Sequence, residues 1–166
     1  ASTFQKVDKY MLPGDYIAYR LTGQTTTTKY GLSEGILWDF KNDSPANWLL
    51  DHYDISQNLT PEIVENFTNQ GEVTEEAGLL SGLTPGTPIT YRAGDQPNNA
   101  LALNIFYPGE VAASGGTSGV LYAVTDSLIS KEAARINHFA HINYTQNNPR
   151  LGKLLCINGA GIEYRK

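Results

Sequence analysis

Ala93-Gly94-Asp95-Gln96-Pro97-Asn98-Asn99-Ala100, continued further on by Pro108-Gly109-Glu110-Val111-Ala112-Ala113-Ser114-Gly115-Gly116-Thr117-Ser118-Gly119, holds the dense polar chemistry of this chain. Just upstream, residues 88–93 set Ile89, Tyr91 and Ala93 against Thr90 and Arg92, the period of a strand that would deliver Asp95 to its carboxyl end. Pro97 suits the first turn of a helix and Asp95 or Gln96 its cap. Ala100, Leu101 and Ile105 fit one face of that helix before Pro108-Gly109 stops it. Strand, acid and helix in that order make a unit of the α/β kind.

Beyond Pro108-Gly109, residues 110–114 and 120–124 read as two short strands of a β-hairpin joined by Gly115-Gly116-Thr117-Ser118-Gly119. Glycine in this loop frees the backbone to take positive φ and to gather its N–H groups into a concavity of the kind that cradles phosphate oxygens. Thr117 and Ser118 add hydroxyl donors. Hairpin turns also need glycine for steric reasons alone, so the loop gains its meaning from the acid upstream of it.

Working outward, residues 13–21 read as a helix opened by Pro13 and closed by Gly23. Its apolar face would be Leu12, Tyr16 and Tyr19, or Ile17 and Leu21, set toward the core. The threonine run 24–29 suits a loop or edge at the surface, and residues 30–38 a short irregular helix. Helices are expected over 45–53, with Ser44 as cap and Leu49, Leu50 and Tyr53 inward, and over 61–67, with Thr60 as cap and Ile63, Val64 and Phe67 inward. A further helix over 73–80 has Thr74 as cap and Gly82 as stop, and leads through Pro85-Gly86 toward the segment before Asp95. After the hairpin, residues 135–144 alternate and residues 151–157 are almost continuously apolar, giving two more strands. Asn158-Gly159-Ala160-Gly161 then turns the chain toward a helix that would begin at the very end of the sequence.

Composition narrows the function. With 166 residues the chain can bury a sizeable core. Twelve basic against 17 acidic residues give a net charge of -5, and no basic cluster is present to neutralise a nucleic-acid backbone, so nucleic acid is excluded as the expected partner. No apolar run approaches the ~20 residues of a membrane span, and the first residues lack the apolar core of a signal peptide, so a cytoplasmic protein is expected. Cys156 is the sole cysteine, which excludes an internal disulfide, and its setting in Leu154-Leu155-Cys156-Ile157 predicts a buried thiol. Sequons at Asn42, Asn58, Asn66 and Asn143 carry meaning only in a secretory pathway. His138 and His141 lie three apart on a strand-like run, on opposite faces, which argues against a shared metal. A Ser-His-Asp hydrolase would need a Gly-x-Ser-x-Gly elbow, which the loop at 116–119 does not supply.

The ordered set Asp15-Tyr16-Ile17-Ala18-Tyr19-Arg20-Leu21-Thr22-Gly23, Gly82-Leu83-Thr84-Pro85-Gly86-Thr87-Pro88, Ala93-Gly94-Asp95, Pro108-Gly109-Glu110-Val111 and Gly116-Thr117-Ser118-Gly119 resembles the FGGY family of carbohydrate kinases, most closely its xylulokinase branch. The resemblance implies an α/β, ribonuclease H-like, actin-type ATPase fold spanning the junction of two domains. Residues 1–108 would be the C-terminal half of the N-terminal kinase domain and 109–166 the opening strands of the C-terminal one. It implies that Asp95 is the catalytic base, that Asp95 and Gln96 contact the sugar, and that Gly116, Thr117, Ser118 and Gly119 contact ATP phosphates, with Mg²⁺ as the accompanying ion and no metal ligand from the chain. The reaction implied is transfer of the γ-phosphoryl group of ATP to a ketose, D-xylulose foremost, with glycerol, gluconate, fuculose or ribulose as alternatives and a homodimer as one assembly open to it.

Gln96 stands where the xylulokinase branch carries asparagine, a feature shared with glycerol kinases. The family's first Asp-x-Gly phosphate loop and its glycine-rich adenosine site do not occur in these residues. The resemblance therefore implies a segment of a longer kinase that is inactive alone. Two other readings stay open: a binding module that keeps the kinase fold without turnover, and a structural domain in which Asp95 only caps a helix.

Overall fold

The computed structural model describes residues 3–129, 131–132 and 134–159. The chain divides into two compact units, Ala1–Ala93 and Gly94–Lys166. The turn expected after Asn158-Gly159 and the helix beyond it lie outside the described residues.

The first unit is built from short elements. Helix α1, Pro13–Thr22, opens with Pro13 in its first turn and stops at Gly23, which adopts φ 72° and donates its N–H to the Tyr19 carbonyl (2.7 Å). Its buried face is Asp15, Ala18 and Thr22, while Tyr16, Ile17 and Tyr19 are exposed. This reverses the expected orientation, because the inward face is held by charge and hydrogen bonds. Asp15 pairs with Arg92 (3.4 Å) and accepts hydrogen bonds from the Thr27 hydroxyl (2.8 Å) and the Leu12 N–H (3.3 Å). The Arg92 guanidinium also donates to the Thr26 hydroxyl (2.6 Å) and carbonyl (3.2 Å). Burial outweighs the attraction between the partners, raising the Asp15 carboxyl above its usual range and lowering the guanidinium below its own.

Strand β1, Thr26–Thr27, pairs in parallel with β4, Glu62–Ile63. Thr26, Thr27, Thr28 and Tyr30 are buried, so the centre of the threonine run is interior structure and not the surface loop or edge expected. Helix α2, Lys29–Glu34, is capped by the Thr28 hydroxyl, which accepts the Gly31 N–H (3.0 Å). Strands β2, Trp38–Asp39, and β3, Ser44–Pro45, form an antiparallel pair. Ser44 is therefore a strand residue, and helix α3, Asn47–His52, takes Ala46 as its cap.

The helix expected over 61–67 is absent. Thr60 ends a 3-10 turn, Gln57–Leu59, and the chain runs extended through β4 into a turn at Phe67, which takes φ 63°. The β-branched pair Ile63-Val64 suits that extended path, and Val64 adds a backbone bond to the Thr27 carbonyl (2.8 Å). Helix α4, Glu75–Ser81, is as read, with the Thr74 hydroxyl accepting the Ala77 N–H (3.2 Å) and Gly82 at φ 78°.

Residues 88–93 run to Asp95 without joining a sheet. An isolated bridge links Glu72 to Pro88, and the Phe67 and Gln70 N–H groups donate to the Thr90 and Ile89 carbonyls. The expected strand is thus absent, and the segment is held by hydrogen bonds to a neighbouring loop. Arg92, expected on its polar face, is buried against Asp15.

The second unit begins with helix α5, Asp95–Ala102, and continues into a four-stranded antiparallel sheet. Strands β5, Val111–Gly115, and β6, Gly119–Thr125, form the expected hairpin. Strand β7 is Asn137–Ala140 and β8 is Leu151–Ile157, and the order across the sheet is β5-β6-β8-β7. Ala100 of α5 packs in one buried cluster with Ala112, Tyr122 and Val124, flanked by Ile105, Phe139 and Leu154. Only the first two residues of β8, Leu151 and Gly152, are buried. Cys156, near its far end, is exposed and donates to the Asn158 side chain (3.6 Å), against the buried thiol expected.

His141 is fully buried, and its imidazole lies below the usual pKa of 6.5 because burial disfavours the charged ring, with the Ile105 carbonyl and Glu110 opposing. The unfolded chain therefore binds a proton below that value which the folded unit refuses. Stability present above pH 6.5 should be lost as pH falls toward the folded pKa. Urea midpoints are expected to drop between about pH 7.5 and about pH 5.5, and less so in His141→Phe. Equal slopes in the two proteins would remove His141 as the cause.

Candidate active site

Asp95 is the first residue of α5. The cap is Gly94, whose extended backbone at φ -70° and ψ 177° makes no side-chain cap bond, so neither Asp95 nor Gln96 caps the helix as expected. Pro97 lies in the first turn, buried, where its missing N–H costs nothing. The Asp95 carboxylate is exposed and accepts a hydrogen bond from the Gln96 amide (3.1 Å). An exposed carboxylate fixed at one oxygen keeps its second oxygen available to a proton donor.

The loop Gly116-Thr117-Ser118 closes the hairpin. Gly115 and Gly119 face each other across the ladder, and the Gly116 N–H donates to the Ser118 carbonyl (3.0 Å). None of Gly115, Gly116 and Gly119 takes the positive φ expected of them. A Cβ on Gly116 would meet only the Ser118 oxygen, at 3.8 Å. Glycine here leaves exposed backbone open to close approach, and the exposed Thr117 and Ser118 hydroxyls flank it. That donor set fits phosphate oxygens. Among the described residues no cluster of three His, Cys, Asp or Glu could hold a metal ion.

Asp95 and Gln96 are therefore in direct contact, and α5 rests on the hairpin that carries the loop residues. Sequence reasoning missed the groups that fix this arrangement. Glu110 accepts the Phe106 N–H (2.7 Å) and the Tyr107 N–H (2.9 Å), bonds that hold its carboxyl below the usual range. The Asn143 amide donates to the Phe106 carbonyl (3.1 Å). His141 bonds both the Ile105 carbonyl (2.9 Å) and the Tyr122 hydroxyl (3.1 Å). An acid just after Pro108-Gly109 was the one available signal, since it can close a turn on the N–H groups before it.

In the first unit a cavity of about 370 Å³, lined by Tyr10, Leu12, Asp15, Thr27 and Leu32 among others, contains none of the expected site residues. Its one carboxylate, Asp15, already has its partners. Among the described residues no helix is long and apolar enough to cross a membrane.

Residues 1–102 match the FGGY family of carbohydrate kinases, N-terminal domain. Xylulose kinase from Klebsiella pneumoniae is 28% identical over 142 residues, 85% of this chain and 29% of the relative. Among solved structures, a ligand-bound xylulose kinase from Lactobacillus acidophilus superposes with a TM-score of 0.85 at 20% identity, covering 99% of this chain and 32% of that one. Glycerol kinase from Plasmodium falciparum with ADP gives 0.83 at 22% identity over 97% of this chain and 33% of that one. The chain thus spans about three tenths of the length of the curated relatives it matches, and its fold is the α/β, actin-like fold of these sugar kinases.

Proposed function

We propose, from the premise that this chain belongs to the FGGY family of carbohydrate kinases, that it forms part of an enzyme transferring the γ-phosphoryl group of ATP to a hydroxyl of a ketose, D-xylulose foremost. The observation that carries the proposal is the exposed Asp95 at the head of a helix seated on the hairpin whose end is Gly116-Thr117-Ser118. Residues 1–108 are then the latter half of the N-terminal kinase domain and 109–166 the start of the C-terminal one. The family match over 1–102 supports the first assignment.

In this mechanism Asp95 accepts the hydroxyl proton as the sugar oxygen attacks the γ-phosphorus, and the bond from that phosphorus to the bridging oxygen of ADP breaks. Gln96 holds the carboxylate and offers its amide to the sugar. The backbone of Gly116 and Gly119 and the hydroxyls of Thr117 and Ser118 bind phosphate oxygens. Bound Mg²⁺ supplies neutralisation of the developing phosphate charge. Phosphoryl transfer is mostly positioning and charge stabilisation, so a placed carboxylate and a donor loop suffice on the protein's side.

Gln96, shared with glycerol kinases, favours glycerol as the second reading. In the intact protein, ADP release is expected with xylulose, at a higher kcat/KM than with ribulose, fuculose, gluconate or glycerol. A preference for glycerol would make Gln96 the better guide, and no turnover with any of the five would leave the binding module.

A further inference from the structure

We infer that His141 is a positioning residue that couples the two parts of the transfer site, tying β6, whose hairpin carries Gly116-Thr117-Ser118, to the exit of α5, whose first residue is Asp95. This rests on the proposed kinase reading of Asp95 and the loop.

His141 is fully buried, yet both ring nitrogens are engaged, and by different elements. The Ile105 carbonyl can only accept, so Nε2 carries the proton and donates to it (2.9 Å). Nδ1 of the neutral ring then accepts from the Tyr122 hydroxyl (3.1 Å). Ile105 is the residue where α5 ends in a backbone bond, its N–H donating to the Ala100 carbonyl (2.9 Å). Asn143 and Glu110 hold the next residues, Phe106 and Tyr107. The exit of α5 is thereby pinned while its entry carries the exposed acid.

A phenylalanine would fill this space without burying two polar atoms. A fully satisfied buried polar group specifies one geometry where an apolar side chain of the same size would tolerate several. Helix α5 spans only about 12 Å at ~1.5 Å per residue, so a shift at Ile105 is carried to Asp95 with little attenuation. Misplacement of a reacting group by ~1 Å can cost on the order of a hundredfold in rate.

The test compares His141→Phe, His141→Gln and the milder Tyr122→Phe in the intact protein, assayed well below their melting temperatures. His141→Phe is expected to lower kcat about tenfold or more, with the KM values for sugar and ATP changing less than about threefold. His141→Gln, whose amide can still donate to Ile105, should recover most of the rate, and Tyr122→Phe should fall between. An unchanged kcat with only a lowered melting temperature would make His141 plain core, and a rise in one KM alone would make it a binding residue. Both overturn the inference.

Asp95→Asn is the control. If it keeps its rate, the kinase reading is at fault, and the bridge is judged by backbone hydrogen exchange in His141→Phe. Faster exchange is then expected both around Ile105 and at the 116–118 loop, and unchanged exchange at either place rejects the coupling.

Discussion

Replacing Asp95 by asparagine is expected to lower kcat of the intact kinase by about 10² to 10⁴, roughly 3 to 5 kcal/mol of barrier, with the fold unchanged. Asparagine keeps the size of the side chain and can still accept from the Gln96 amide, now 3.1 Å away. The cap of α5 is Gly94, so no cap is lost. What the amide cannot do is accept the hydroxyl proton. The loss should fall mainly on kcat, because on the proposed mechanism the amide can still hydrogen-bond the sugar and retain part of its binding. Steady-state kinetics with thermal melts of both proteins decide the matter. A variant retaining more than about a tenth of the wild-type kcat, far above that expected remainder, leaves Asp95 an exposed surface acid.

The second large effect is expected at Gly152. A Cβ there would lie 2.0 Å from both Cζ and Oη of Tyr122 and 2.4 Å from Cε2. The backbone cannot withdraw, because β8 is paired on one side with β6 and on the other with β7. The tyrosine ring must therefore leave the cluster of Ala100, Ala112 and Val124 and release the His141 nitrogen it serves. Overpacking and a stranded buried acceptor together put Gly152→Ala at about 3 kcal/mol of destabilisation or more. Urea unfolding should show the loss, and a second change, Tyr122→Leu, should recover part of it by removing the ring that collides. An unaltered midpoint in Gly152→Ala would mean that Tyr122 does not lie over this glycine.

How much of this was legible depended on whether the determining partner was near in sequence. Pro13 and Gly23, Thr74 and Gly82, and the glycine loop between two strand-like runs are local signals, and α1, α4 and the hairpin stand where they point. The inward face of α1 was not legible, because Asp15 is buried by a partner 77 positions away, Arg92. Residues 61–67 carry helix-like spacing, yet Glu62 and Ile63 pair with Thr26 and Thr27, a contact that no local window contains. The strand expected over residues 88–93 does not form, because their hydrogen bonds go to a loop, which alternation cannot distinguish from a ladder. Of the candidate site, Asp95, Gln96 and the 116–119 loop were readable as chemistry. The groups that anchor their supports, His141, Asn143 and Glu110, were not, because each acts through backbone carbonyls or N–H groups that the sequence does not display.

The strand order of the second unit also sets when it can fold. The last strand of the described chain, β8, sits inside the sheet, between β6 and β7. On the ribosome the β5-β6 hairpin emerges first, and the open edge of β6, with Leu121 and Tyr122 among its residues, has no native neighbour until Ile157 has left the exit tunnel. Pairing across such an interval is slow compared with hairpin closure, and a waiting strand edge invites the wrong partner. A purified chain truncated after Ala140 should therefore bind chaperones more strongly than one extended through Ile157.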